Sequence, residues 1–277
     1  MGALLLGTMA TTAKAEDAPI MTYGVDIVSD YVVRGVDQYK GAFAFHEKDD
    51  GPLNVSPAIQ PSFTLFGGNG ISLNVWMSFA VSDRSPDNDK GFAGLSKLDE
   101  LDYTLAYDWS NKLGAFTAGI IAYTYIYDDK SGTVTQPEYF LKWAMPYGKS
   151  VSPYLAYYAS PTSGGEYAEA GISAGEAVPW SLVAGAVPGG LKHVTGKVGY
   201  VMGDFTISAS VAYRPNAALV GYPRMIPFDV DGSGTIEDGE TKTLDKGKYL
   251  NFEGKEKDYP STIAWLTLSY AGSVAAK

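Results

Sequence analysis

Apolar and polar residues alternate over long stretches of this chain, and this period of two restricts its fold more than any other feature. In Ile71–Val81 every odd-numbered residue is apolar, and the even-numbered residues are mostly small or polar. Phe205–Tyr213 and Leu101–Trp109 follow the same pattern. Successive side chains of a β-strand point to opposite faces, whereas an amphipathic helix repeats every 3.6 residues. The pattern predicts an all-β chain with about twelve strands, near 20–36, 53–66, 70–82, 98–110, 114–127, 136–147, 151–159, 165–176, 179–187, 192–202, 204–214 and 261–271.

The connections between these predicted strands alternate in length. Short turns occur at 67–69, 111–113, 148–150, 177–178 and 203, and longer or Gly- and Pro-richer connections separate them at 37–52, 83–97, 128–135, 160–164, 188–191 and 215–260. Short periplasmic turns, longer external loops and an even number of strands are typical of outer-membrane barrels. The connections therefore predict a transmembrane antiparallel up-and-down β-barrel.

The two faces of the predicted strands differ in polarity. One face carries apolar residues, including Tyr23, Val25, Ile27, Tyr31 and Val33 in the first strand and Leu266, Leu268 and Tyr270 in the last. The other carries charged residues: Asp26, Asp30, Arg34, Glu100, Asp102, Asp108, Glu138, Lys142, Glu169, Lys197 and Arg214. In a membrane barrel the charged face lines a wet lumen, whereas in a soluble β-sandwich it would be the outer surface. Alternation alone does not separate these two folds.

Aromatic residues favour the membrane barrel. Tyr23, Trp109, Trp180, Phe205 and Tyr270 all lie on the apolar face and close to the short turns. Outer-membrane barrels carry aromatic girdles at the two membrane interfaces.

The charged face holds the candidate lumen or constriction residues, which are Asp26, Asp30, Arg34, Glu100, Asp102, Glu138, Lys142, Lys197 and Arg214. A charge that is enclosed without a partner is costly. We therefore expect Arg34 to pair across strands, with Glu100 and Glu138 as its candidate partners. Such residues either filter ions by charge at a constriction or form a structural network that holds the shape of the barrel.

Residues 1–15 are typical of a secretory signal peptide. They contain a short apolar stretch from Ala3 to Ala10 and an A-x-A cleavage site at Ala13–Ala15. Residues 16–277 would then form the exported barrel. The absence of Cys excludes disulfides and thiolate metal sites, and the formal net charge of −10 argues against nucleic acid as a partner.

The segment 215–260 contains a pattern of oxygen ligands that resembles an EF-hand calcium loop at 229–240. Acidic and hydroxyl side chains fill the positions at which such a loop binds Ca²⁺ directly or through water, Thr235 supplies a carbonyl, and Gly234 provides the sharp turn. The predicted ligands are Asp229, Asp231, Ser233, Thr235, Glu237 and Glu240. Pro223 and Pro227 are incompatible with a regular entering helix, so we expect a single calcium loop of weak affinity. An acidic, solvated loop without an ion is the alternative.

The sequence offers little support for catalysis. His46 and His193 are its only histidines, and no nucleophile motif accompanies either of them. We therefore expect that the chain is not an enzyme.

The opening strand carries a more specific signal. Ser29–Gln38 resembles the SDYxxRGxxQ opening of the TorF-like putative porin family, which comprises small bacterial outer-membrane proteins. Further likenesses extend the resemblance over most of the chain from Tyr23 to Tyr270, at Pro57–Gln60, Leu98–Tyr103, Tyr123–Tyr125, Glu138–Tyr139 and Tyr167–Gly171. The resemblance implies an outer-membrane barrel with porin activity.

These observations lead to one expected function and two alternatives. We expect a barrel in the bacterial outer membrane that passes small hydrophilic solutes or ions passively, with Ca²⁺ ordering its external loop. The first alternative is a surface-interaction or structural barrel, whose calcium-clipped loop 215–260 binds a partner or covers the pore. The second is a soluble secreted β-sandwich.

Overall fold

The chain folds into a closed barrel of twelve antiparallel strands, in which each strand pairs with its neighbours in the chain and the last pairs with the first. A computed structural model describes residues 19–34, 36–37, 57–81, 98–126, 133–147, 150–162, 164–216, 219, 224–227, 241–244, 248–250, 256–258 and 261–275. The barrel strands are β1 (Pro19–Val28), β2 (Ala58–Phe66), β3 (Ile71–Ala80), β4 (Leu98–Asn111), β5 (Gly114–Ile126), β6 (Thr133–Ala144), β7 (Val151–Ala159), β8 (Glu166–Ala174), β9 (Trp180–Val187), β10 (Gly190–Met202), β11 (Phe205–Tyr213) and β12 (Thr262–Ala275). A 3₁₀ turn lies at Gly68–Gly70, and no helix among the described residues is long and apolar enough to cross a membrane.

The predicted all-β barrel of about twelve strands is confirmed. Each predicted strand overlaps one observed strand, and β9 is among them although its alternation is the weakest. The first prediction is wrong in its extent, because β1 ends at Val28 rather than at residue 36. The predicted signal peptide at 1–15 lies outside the described residues.

The connections predicted as short turns lie together at one end of the barrel, whereas the connection at 188–191, which was expected to be longer, is a two-residue turn at Pro188–Gly189 at the other end. The turn between β2 and β3 is the 3₁₀ segment Gly68–Gly70, in which Asn69 has φ 68° and Gly70 has φ 84°. Gly70 is required there, because a Cβ atom at this position would overlap the backbone oxygen of Asp108 on β4. The turn thus packs directly against a neighbouring strand.

The outer surface of the barrel is apolar and exposed. Leu266 is 57% exposed and Ile207 47% exposed, and large apolar side chains of this kind recur on the outward face of the barrel strands. Polar and charged side chains, in contrast, are enclosed: Glu100, Asp102, Glu138 and His193 are all buried. This distribution is the reverse of that in a soluble protein and matches a membrane barrel with a polar lumen. The soluble β-sandwich is excluded.

Aromatic rings form a stacked row on the outer surface near the short-turn end. Trp109 on β4 stacks on Phe116 of β5 with ring centroids 5.3 Å apart, and Phe116 stacks on Trp143 of β6 at 6.2 Å. A second group joins Tyr23, Tyr270 and Phe205 on β1, β12 and β11. Four of the five predicted girdle aromatics belong to these two groups, and the fifth, Trp180, is exposed elsewhere on the outer surface.

Candidate functional site: the lumen and the segment that crosses it

The chain leaves the barrel wall directly after β1 and turns into the lumen. Ser29 still holds to the wall, because its N–H donates to the carbonyl of Leu266 on β12 and its Oγ accepts from the Leu266 N–H, both at 3.0 Å. Beyond Ser29, Val32–Val33 pairs with Val36–Asp37 in a small antiparallel turn. Between them Arg34 has φ 48°, a left-handed conformation that is uncommon for a residue other than Gly. We call the segment Ser29–Arg34 the strap.

The first half of the strap contacts the part of the wall next to β1. The ring of Tyr31 packs against Trp76 on β3 with centroids 5.5 Å apart, and its hydroxyl donates to Glu100 on β4 at 2.7 Å. Val33 packs into the same cluster. Tyr31 and Val33 were expected on the outer face, and this expectation is wrong because the strap no longer follows the alternation of β1.

The second half of the strap reaches the opposite part of the wall. Arg34 donates a forked pair of hydrogen bonds to Glu138 on β6, at 2.9 Å from Nη1 and 2.5 Å from Nη2. In a closed ring of twelve sequential strands the one opposite β1 is β7, so a side chain that follows β1 contacts β6 only by crossing the lumen. Of the two partners expected for Arg34, Glu138 is therefore the one that it binds. Glu100 instead accepts the hydrogen bond from the Tyr31 hydroxyl.

Two tyrosine rings complete the surroundings of the Arg34 guanidinium. Its Cζ atom lies 4.5 Å from the ring centroid of Tyr158 on β7 and 4.2 Å from that of Tyr167 on β8. Tyr123 on β5 donates its hydroxyl to Glu138 at 3.0 Å and so orients the carboxylate. We call the surfaces contributed by Tyr123, Glu138, Tyr158 and Tyr167 the guanidinium cage.

A second carboxylate, Glu169 on β8, connects the cage to the rest of the lumen. Its carboxylate accepts from the hydroxyl of Tyr167 at 3.0 Å and also from those of Tyr154 and Tyr158. Lys142 on β6 completes the group, with its Nζ 4.4 Å from the ring centroid of Tyr154. The charges on this side of the lumen are thus embedded in a layer of tyrosines.

His193 belongs to this layer. Its Nε2 atom lies 2.9 Å from the Tyr167 hydroxyl and its Nδ1 atom 2.9 Å from Thr195 Oγ1. The imidazole is stacked on the Tyr167 ring with centroids 6.1 Å apart. These contacts indicate that His193 supports the position of Tyr167.

Glycines on the inner face make room for these rings. A Cβ atom added to Gly185 on β9 would overlap Tyr167 and His193, and one added to Gly171 on β8 would overlap the ring of Tyr154. A strand glycine often marks such a close approach, because nothing projects from it. The tyrosines can therefore lie flat against the neighbouring strand.

The remaining predicted lumen residues occupy other levels of the barrel. On the β1 side Asp26 is hydrogen-bonded to Ser269 and lies within electrostatic range of Lys197. Asp102 is buried beside Glu100 on β4, and Asp30 is buried in the strap, where it accepts from Ser29 Oγ at 3.2 Å. Arg214 is 1% exposed at the end of β11, where its backbone N–H donates to Ser261.

The alternation did not reveal Tyr158, Tyr167 or Lys192 as parts of this site. Tyr158 and Tyr167 share the inward face with charged residues, and this shared face could have identified them as lumen residues from the sequence. Lys192 lies within electrostatic range of Glu138 and Arg34, at the point where the register between β9 and β10 is irregular. A bulge of this kind re-aims a side chain and leaves no mark in the alternation.

The predicted calcium ligands at 229–240 lie outside the described residues. The residues flanking that stretch are described, and Arg224–Pro227 pairs with Thr241–Leu244 as an antiparallel hairpin. A second hairpin joins Lys248–Leu250 to Glu256–Asp258. Within the described ranges no group of three or more His, Cys, Asp or Glu residues could hold a metal ion.

Comparison with known proteins gives structural neighbours but no sequence relatives. No family model matches the chain, and no curated protein matches it. The NanC porin is similar with a TM-score of 0.41 and 8% sequence identity, over 90% of this chain and 98% of that one. A triple mutant of the Rhodopseudomonas blastica porin is similar with a TM-score of 0.32 and 12% identity, over 91% and 99%. At such low scores, the assignment of the fold depends on the strand pairing and the residue distribution described above.

Proposed function

We propose that this protein resides in the bacterial outer membrane and forms a passive channel for small hydrophilic solutes or ions. The observation that carries the proposal is the inverted barrel, with apolar side chains outward and ionised side chains around the lumen. A lipid-facing band and a polar interior are what a water-filled conduit requires. The resemblance of Ser29–Gln38 to the TorF-like putative porins is consistent with this function.

The lumen favours cations in this proposal. Among the described inward-facing side chains, carboxylates outnumber cations: Asp26, Asp30, Glu100, Asp102, Asp108, Glu138 and Glu169 compare with Arg34, Lys142, Lys192, Lys197 and Arg214. Rings of acidic side chains favour cation passage through a pore. The strap narrows the route at the level where Arg34 pairs with Glu138, so the excess of carboxylates lies at the other levels of the lumen.

Conductance across a planar bilayer tests the channel. The chain contains no Cys, so a single introduced cysteine gives an unambiguous target for a charged, water-soluble thiol reagent. Thr206→Cys places a thiol inside the lumen, and Ile207→Cys, the next residue on β11, places one toward lipid. We expect wild type and both variants to conduct, and the reagent to reduce the current of Thr206→Cys alone. Pure folded protein that shows no channel events, or equal modification at both positions, would contradict the proposal.

The second candidate function is surface interaction through the long external segment 215–260. The two hairpins within it favour this candidate, because a connecting loop has no need of its own strand pairs. Deletion of the segment separates the possibilities. Conductance rises if the segment covers the pore, and binding of a surface partner is lost if the segment is an adhesive element.

We further propose that residues 229–240 bind one Ca²⁺ ion. The pairing of Pro227 with Thr241 supports this proposal, because it brings the two ends of the stretch together. Strands flank the loop where an EF-hand has helices, so the site would act as a clip with a dissociation constant of roughly 0.1–1 mM.

Calorimetric titration with Ca²⁺ tests the clip. The folded wild-type barrel should release or absorb heat with one ion per chain, and a variant that carries both Asp229→Ala and Glu240→Ala should not, because it lacks the first ligand and the bidentate carboxylate. Equal heats from the two proteins would exclude the site.

A further inference from the structure

The guanidinium cage is made by the wall of the barrel, whereas the guanidinium it holds comes from the strap. Tyr123, Glu138, Tyr158 and Tyr167 belong to β5, β6, β7 and β8. These strands pair with one another in sequence along the wall. The cage therefore does not depend on the strap for its position.

The walls of the cage are also fixed by contacts that do not involve Arg34. Glu169 accepts from Tyr167 and Tyr158, and His193 lies against the Tyr167 ring. Gly185 leaves the space in which Tyr167 lies flat. Removal of the Arg34 side chain would thus leave a cavity bounded by two tyrosine rings and a carboxylate, open to the lumen where the strap now lies.

The chemistry of the cage matches a planar cation with two parallel N–H groups. Glu138 accepts a forked pair of hydrogen bonds, which a guanidinium or amidinium donates and a single ammonium does not. The Tyr158 and Tyr167 rings both lie within cation–π distance of the cation. A flat, weakly hydrated cation is favoured in such a site over a compact, strongly hydrated ammonium.

The strap, in contrast, holds Arg34 at some cost. Arg34 adopts φ 48°, a left-handed conformation that is strained in a residue other than Gly. Beyond Ser29 the contacts of the strap include those of Tyr31, Val33 and Arg34 and the small antiparallel turn. The same cation delivered by a solute would occupy the cage without this backbone strain.

We propose that the guanidinium cage is a solute-binding site of the lumen, selective for guanidinium and amidinium compounds, and that Arg34 occupies it as a tethered competitor. This inference deepens the proposed channel function and rests on it. A solute that carries such a group binds where Arg34 binds and displaces the strap from the β6–β8 side of the lumen. Because Arg34 is tethered, its effective concentration is in the millimolar range or above, so displacement in wild type requires solute concentrations of that order.

The test uses methylguanidinium and methylammonium as a pair of probes with the same charge. Arg34→Ala empties the cage, and Arg34→Lys keeps the charge while it loses the fork. Binding is measured by the shift in the temperature at which the detergent-solubilised barrel loses its β-sheet circular dichroism. Conductance in a planar bilayer is measured separately with the same probes.

We expect methylguanidinium to stabilise Arg34→Ala at a concentration about tenfold lower than methylammonium does, the ratio that one net hydrogen bond produces. Arg34→Lys should respond in the same order at higher concentrations, since the introduced ammonium competes weakly for the cage. The double variant Arg34→Ala, Glu138→Gln should lose the difference between the probes. Lys192, whose charge lies near Glu138, does not replace the fork.

The two readouts separate the inference from the channel function on which it rests. Glu138-dependent stabilisation by methylguanidinium without any current supports the binding site and contradicts the channel. Current that rises in Arg34→Ala while both probes act equally, or not at all, supports the channel and overturns the binding site. If Arg34→Ala fails to fold, the comparison of wild type with Arg34→Lys decides in the same way.

Discussion

The outer surface and the lumen of this barrel come from the same alternating strands, yet they are specified differently. Outside, Ile27, Leu268 and Ile207 lie side by side on β1, β12 and β11 and present apolar area to lipid. Inside, Arg34 and Glu138 depend on the positions of individual atoms. The comparison shows that an outward position requires only an apolar side chain, whereas the Arg34–Glu138 contact in the lumen requires those particular residues.

The largest effect is expected from a charge introduced on the outer surface. Leu266 lies four residues from the girdle residue Tyr270 along β12, about 13 Å at the usual rise per residue, which places it near the middle of an apolar band ~25 Å tall. Leu266→Arg should lower the free energy of unfolding in lipid vesicles by about 2–4 kcal/mol, because a cation at mid-depth faces hydrocarbon. Urea titration followed by tryptophan fluorescence measures this change.

Ser269→Arg is the matched control on the same strand. Ser269 faces the lumen beside Asp26, so the same cation gains a carboxylate neighbour there. A loss of stability as large as that of Leu266→Arg would contradict the assignment of the two faces.

An intermediate effect tests whether the lumen requires particular residues. Gly185→Ala should lower the free energy of unfolding by about 1–3 kcal/mol, the usual cost of overpacking, because its methyl group would overlap Tyr167 and His193. The variant should also weaken the cation–π contact between Arg34 and Tyr167, because it displaces the Tyr167 ring.

Gly196→Ala on the adjacent strand β10 is the control for that change. A Cβ atom at Gly196 has no described neighbour within 4 Å, so this substitution should leave the thermal unfolding midpoint unchanged or slightly raised. Equal losses at Gly185 and Gly196 would mean that the close approach to Tyr167 has no energetic role.

The smallest effect is expected from removal of one ring from the stacked aromatic row on the outer surface. Phe116 lies between Trp109 and Trp143 in the stacked row. Phe116→Leu keeps an apolar side chain there and removes two ring contacts, so the free energy of unfolding should fall by about 0.5–1.5 kcal/mol. Tyr139→Leu, at an outward position outside this row, is the control for the same measurement. A larger loss at Tyr139 would show that stacking at Phe116 adds nothing to apolar area.

Much of the barrel could be predicted from the sequence because alternation is a local property. The strands, their faces and the short turns follow from neighbouring residues, and even β9, with its weaker pattern, is bounded by recognisable turns at both ends. The prediction went wrong at Ser29, where a polar residue occupies the apolar face. That break in the pattern was the available sign that the strand ends at Val28.

The candidate site was less predictable because it joins distant parts of the chain. Its charged members other than Lys192 were identified by the face on which they lie, but the choice between Glu100 and Glu138 for Arg34 was left open. Tyr31 takes Glu100 only because the strap passes that side of the lumen first. No local pattern in the sequence predicts which strands the strap contacts first as it crosses the lumen.

The sequence by itself determined which side chains of the strands face outward and which face the enclosed interior, because the pleat of a strand sends neighbouring side chains to opposite sides. Only the tertiary structure decided that Ser29–Arg34 crosses the lumen and that a guanidinium lies between Tyr158 and Tyr167. The physical reason is ring closure. Pairing of β12 with β1 brings opposite walls within reach of one arginine side chain, and that distance exists only in the closed barrel.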